Sequence, residues 1–193
     1  MESQYKDSDN GVTNGGEEEF VAVANKRKMV GWGLFLRAAA AALSLAAAVV
    51  LSLDNQTTMV ALRPRVIVPV TAKWHYLSAF VYFVVANAIA SVYGTISLLL
   101  TLASSRGGKR RIVVVVVVSD LVTAALLFSS FGAAAAVGLI GREGNSHVQW
   151  RKVCDVFDKF CMQGAAALLL SGGASVMFFT LVVVAIFNLH NKN

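Results

Sequence analysis

Apolar residues in this chain gather into four long runs, at about residues 30–53, 77–102, 112–140 and 164–189, separated by shorter polar segments. Each run reaches the roughly 20 residues that an α-helix needs to cross the hydrocarbon core of a bilayer. No water is available there, so every backbone N–H and C=O must be paired within the spanning structure, which leaves helices and closed barrels. None of the runs alternates apolar and polar residues with period 2, and a barrel takes at least about 8 such strands. The pattern predicts an all-α membrane protein: a four-transmembrane-helix bundle over residues 30–189, with both termini cytoplasmic.

Composition agrees with that reading. With 56% hydrophobic residues and a mean hydropathy of +0.64, the chain is too apolar for an ordinary soluble domain of its size. The leading stretch "MESQYKDSDNGVTNGGEEEF" is the exception. Rich in Ser, Asn, Gly and acid, it has too few apolar groups to offset the entropy of folding, so residues 1–29 are expected to form a disordered cytoplasmic tail. No small-residue cleavage site precedes the polar run "LDNQTT", which makes the first helix a retained signal anchor. Residues 190–193 form a short second tail.

Charge sets the orientation. Lys26, Arg27 and Lys28 stand directly before the first run, and Arg106, Lys109, Arg110 and Arg111 crowd the link between the second and third. In a four-pass chain both clusters fall on one side, which the positive-inside rule makes the cytoplasm. Arg63, Arg65, Lys73, Arg142, Arg151, Lys152 and Lys159 lie in the opposing loops and moderate that bias, diluted by Glu143, Asp155 and Asp158. The net charge of +6 is explained by bases at membrane ends, where anionic lipids attract them, and calls for no nucleic acid.

Arg37 and Asp120 are the two full charges inside the spans. Each alone costs on the order of 2.5–3.5 kcal/mol at the centre of a membrane helix. The first and third helices run parallel, and counting from their cytoplasmic ends places Arg37 about 10 Å and Asp120 about 12 Å deep. Matching depth predicts an intramembrane ion pair, read as a clamp between helices. The alternative is a small transporter or proton-coupled carrier titrating through the same pair. The spans contain no second acid, histidine or proline; both prolines, Pro64 and Pro69, lie in a loop, whereas transporters commonly break helices at the substrate site.

Small residues form close-packing rows, with Ala86, Ala90 and Gly94 on the second helix suited to a neighbour from the same chain or another copy. In the first outer loop, Asn55-Gln56-Thr57 is an N-glycosylation sequon, about two residues past the helix and close to the membrane. The second outer loop holds both cysteines, Cys154 and Cys161, on the oxidising side. On a regular helix their Cα atoms would stand about 10 Å apart, beyond the roughly 7 Å limit for a disulfide, so a bridge requires a turn between them and two reduced thiols are the alternative. There is no metal-ligand cluster, and no G-x-S-x-G, H-E-x-x-H, Walker or G-x-G-x-x-G motif, so neither enzyme activity nor a cofactor is expected. His75, His147 and His190 are scattered and read as surface residues.

Arg37 in the first span, Asp120 in the third, "YFVVANAIASVYG" in the second and W-x3-C-x2-F-x2-FC from Trp150 to Cys161 occur together and in order. On these residues the chain, from about Met29 to Asn188, resembles the first group of Casparian strip membrane protein-like proteins of land plants, distantly related to the MARVEL tetraspans. The resemblance implies a multi-pass plasma-membrane scaffold that, among the membrane lipids, associates with itself and with related family members into stable domains and recruits wall-modifying enzymes. The first outer loop lacks the short signature of the true Casparian strip members, so the implied role is the general one and not the endodermal lignin strip.

Overall fold

The computed structural model describes residues 10–63, 66–103, 110–147 and 150–190. Residues 1–9 of the leading tail, Arg65, Arg106 and Lys109 of the basic loops, and residues 191–193 lie outside the described residues. Contacts divide the chain into two units, Met1–Phe35 and Leu36–Asn193. In the first unit the chain is helical from Asn10 onward, and the rings of Trp32 and Phe35 stack with centroids 5.8 Å apart. Residues 10–29, expected to be disordered, are therefore helical here. Glu17 to Glu19, Ala22, Ala24 and Lys26 to Lys28 are good helix formers, and extending an existing helix carries no nucleation cost.

Four helices follow the four apolar runs: α1 (Asn10–Ser52), α2 (Ser78–Ala103), α3 (Arg110–Glu143) and α4 (Asp158–His190). Among the described residues, four segments are long and apolar enough to cross a membrane: Gly31–Ser52, Ser78–Ala103, Val113–Glu143 and Asp158–Asn188. The chain is thus a four-span α-helical membrane protein. Outside the spans the first loop is not irregular. β1 (Asn55–Arg63) and β2 (Val66–Lys73) pair antiparallel from Asn55 opposite Lys73 to Ala61 opposite Ile67, with a bulge before Arg63. The run of Thr and Val favours a pleated strand, and the Thr57 and Thr71 hydroxyls bond across it at 2.9 Å. A single 3-10 turn, Trp74–Tyr76, joins the hairpin to α2.

Inside the second unit the core forms two apolar clusters along the helices. One gathers Leu36, Ala40, Ala90, Ala124, Leu127, Ala174, Phe178 and Leu181; the other Ala47, Leu51, Phe80, Phe83, Ala134, Phe157, Phe160 and Ala167. Alanine is frequent in both because small side chains let helix backbones approach, and lipid offers no hydrophobic drive toward bulkier packing. At Gly94 of α2 an added Cβ would stand 2.9 Å from the Cβ of Ala41 on α1 and 3.4 Å from the Phe178 ring on α4. α3 ends on Gly144, whose φ of 71° reverses the chain, and whose N–H bonds the Ile140 carbonyl at 2.9 Å.

Candidate functional site

Arg37 of α1 and Asp120 of α3 meet in the first cluster, 8% and 0% exposed. Nη1 donates to Oδ1 at 2.9 Å and Nη2 to Oδ2 at 2.6 Å, the two-pronged geometry that matches guanidinium to carboxylate. α2 supplies two further groups one helical turn apart. Nη1 of Arg37 also donates to Ser97 Oγ at 2.9 Å, and Ser97 in turn donates to the Gly94 carbonyl at 3.1 Å. The Tyr93 hydroxyl donates to Asp120 Oδ1 at 2.7 Å and lies 3.2 Å from the Val116 carbonyl. Its ring faces Phe178 of α4 with centroids 6.1 Å apart, so all four helices contribute. Both Asp120 oxygens are occupied by donors. Chemically, the arrangement neutralises two buried charges and fixes the rotation of three helices about one point.

Beyond the spans, a second set of contacts ties the loops to the helix ends. Gln56 of β1 reaches α4, its Oε1 accepting the Phe160 N–H at 2.9 Å, and so supplies one of the partners that a helix N-terminus lacks. Asn145 and Trp150 bond reciprocally through their backbones at 2.9 Å, and the Gly141 carbonyl at the end of α3 accepts the Val153 N–H at 2.8 Å. The turn before α4 brings Cys154 and Cys161 to a Cα separation of 5.6 Å, and they form a disulfide. Asp54, between α1 and β1, is fully buried with neither carboxylate oxygen hydrogen-bonded. Burial pushes its carboxyl up to about 7. Among the described residues no group of His, Cys, Asp and Glu is arranged to hold a metal.

The other residues singled out from sequence fall as follows. Ala86 and Ala90 are 1% and 0% exposed, and with Gly94 they pack inside the chain, which uses up this row internally. Asn55 is exposed at the first position of β1, its Nδ2 donating to the Leu53 carbonyl at 3.2 Å. His75 sits between the rings of Trp74 and Tyr76, while His147 and His190 are exposed. Tyr93, Ser97, Gln56 and Asp54 were not singled out. For Ser97 the signal was available: counted back from Ala103, it lies about 9 Å along α2, close to the depth of Arg37.

Comparison with known proteins places this architecture. Residues 26–177 match the Casparian strip membrane protein domain. The chain is 50% identical over 198 aligned positions to CASP-like protein 1E2 of Vitis vinifera, covering the whole of both chains. It is 48% identical to CASP-like protein 1E1 of the same plant, over the whole chain and 98% of the relative. Against CASP-like protein 1E1 of Arabidopsis thaliana it is 42% identical over 80% of this chain and 84% of the relative. No solved structure matches it.

Proposed function

This chain belongs to the Casparian strip membrane protein domain family, and we propose that it is a non-enzymatic plasma-membrane scaffold, with both termini in the cytoplasm, that self-associates and recruits cell-wall-modifying proteins. The observation that carries this reading is an outward row of small residues on α3. Ala125, Ser129, Gly132 and Ala136 are all exposed within the span Val113–Glu143. A Cβ added at Gly132 would meet nothing within 4 Å. Small-xxx-small rows of this kind let a second helix approach closely in lipid, where dispersion and weak polar contacts drive association. Tyr82 donates to Ser129 Oγ at 3.3 Å and forms one rim of the row. The internal ion pair supports the same reading, because with Tyr93 and Ser97 it ties α1, α2 and α3 together at one point and so helps present a constant outer face. Beyond the membrane, the hairpin and the disulfide-closed loop offer the surface to recruited enzymes, and Asn55 offers an exposed acceptor for a glycan.

Differently tagged copies expressed together at native level should co-purify and diffuse slowly in the plane of the membrane. Gly132→Ile should weaken that association while leaving the thermal stability of the monomer unchanged. A freely diffusing monomer would overturn the proposal. So would solute transport in liposomes that Asp120→Asn abolishes, which would turn the ion pair into a carrier's site.

A further inference from the structure

Between the two apolar clusters lies a layer that is polar on every helix. Ser44 of α1, Asn87 of α2, Ser130 of α3 and Ser171 of α4 are each 0% exposed. Along α1, Ser44 falls between Ala40 of the first cluster and Ala47 of the second; Asn87 falls between Ala90 and Phe83, Ser130 between Leu127 and Ala134, and Ser171 between Ala174 and Ala167. By helical rise Ser44 lies about 10 Å along the bundle from Arg37, and Asn87 and Ser130 lie about 15 Å from Ser97 and Asp120, the residues that Arg37 bonds.

Three of its four members are partly satisfied by their own helices. Ser44 donates to the Ala40 carbonyl at 2.9 Å, Ser130 to the Leu127 carbonyl at 3.0 Å, and Asn87 Nδ2 to the Phe83 carbonyl at 2.9 Å. The fourth is not. Ser171 Oγ has no protein partner, and neither has Asn87 Oδ1, although both atoms are buried. A buried polar atom without a partner is destabilising, and the surrounding lipid supplies no hydrogen bonds. Asn87 Oδ1 can only accept, and a serine hydroxyl donates as well as accepts. The pair therefore needs a group that gives a proton to one and takes a proton from the other.

We infer that this layer binds a single water molecule, which donates to Asn87 Oδ1 and accepts from the Ser171 hydroxyl. Its second hydrogen meets a free lone pair on Ser44 or Ser130, giving the roughly three bonds typical of structural water. The groups are neutral, one amide and three hydroxyls, and a water molecule can both donate to and accept from such a set. Alanine flanks the layer on both sides in α1 (Ala40, Ala47) and α4 (Ala167, Ala174), and on one side in α2 (Ala90) and α3 (Ala134), where Phe83 and Leu127 take the other side. The water links α2 to α4 at a level where no direct hydrogen bond joins their side chains among the described residues, while the Arg37 centre links α1, α2 and α3. This inference rests on the packing of the chain alone and not on the scaffold role.

A double-mutant cycle on the full chain in lipid nanodiscs tests it. Ser171→Ala and Asn87→Leu should each lower Tm by about 2–6 °C. The double variant should fall no further than the worse single, because each removes the same bridge. If either single raises Tm, or if the two shifts add, the groups are unbridged and the proposal fails. Should a variant not fold, the unaltered chain still decides. Its Asn87 side-chain amide protons should show NMR cross-relaxation to a slowly exchanging water, and their absence would overturn the proposal.

Discussion

Arg37 and Asp120, 83 positions apart in the chain, face each other so that both guanidinium nitrogens Nη1 and Nη2 donate to separate oxygens of one carboxylate, at 2.9 and 2.6 Å. Asp120 is fully buried and Arg37 is 8% exposed, and the Tyr93 and Ser97 hydroxyls bond to the pair from α2. Removing one partner leaves the other charged and unpaired in a medium of low dielectric. Asp120→Asn or Arg37→Met should lower stability by about 3–5 kcal/mol, read by unfolding in bicelles. The double variant Arg37→Met with Asp120→Leu should recover much of that loss, since replacing a whole buried pair by apolar groups is far milder than breaking it.

Gly94 and Gly132 predict opposite outcomes for the same change. Gly94→Ala places a methyl 2.9 Å from the Cβ of Ala41, so α1 and α2 must separate. Overpacking of that kind typically costs about 1–3 kcal/mol. Gly132→Ala meets open space and should be neutral or stabilising by up to about 1 kcal/mol. Parallel thermal melts of the two variants check the contrast.

Asp54 should make stability depend on pH. Its folded carboxyl titrates at about 7, against about 3.9 unfolded, so the folded state binds the extra proton between those values. Stability is therefore full near pH 4, declines as pH rises toward 7 and levels off above it. Lys73 and His75 line the neighbouring cleft with Asn55, and they provide no ion pair to Asp54 that would offset the loss. Asp54→Asn should flatten the slope, raising stability at pH 8 with little change at pH 4 in denaturation followed across that range.

The bridge between Cys154 and Cys161 closes a short loop, seven positions long. Its effect on the entropy of the unfolded chain corresponds to about 2–3 kcal/mol. Cys161→Ser should destabilise by that order and expose Cys154 to a membrane-impermeant maleimide added on the side of the membrane that the loop faces. The unaltered chain should resist the label until it is reduced.

Hydropathy is a property of a local window, and for that reason the four spans were legible at once from the runs of apolar residues. Depth was legible too, because helical rise is constant, and it placed Arg37 and Asp120 at one level before any contact was known. The paired cysteines were half legible: their spacing stated the condition for a bridge, and the turn at residues 153–157 that meets it depends on the end of α3 and the Gly141 carbonyl. The hairpin was legible only in part: its Thr and Val favour extended strands, but the pairing of one run with the other is not a property of a local window.

What only the tertiary structure decided is rotation. Lipid is as apolar as a leucine-rich core, so a spanning helix carries little hydrophobic contrast around its axis to say which face turns inward. Tyr93 and Ser97 therefore looked like any other polar residues in α2 until the packing turned them onto Asp120 and Arg37. Nor does local sequence tell that Gln56 will cap a helix 104 positions later or that Asp54 will be buried without a partner. The sequence by itself determined how many times the chain crosses and that its two intramembrane charges lie at one level. Which side chains meet there was settled by how each helix is turned, a choice made by close packing of small residues across the whole bundle.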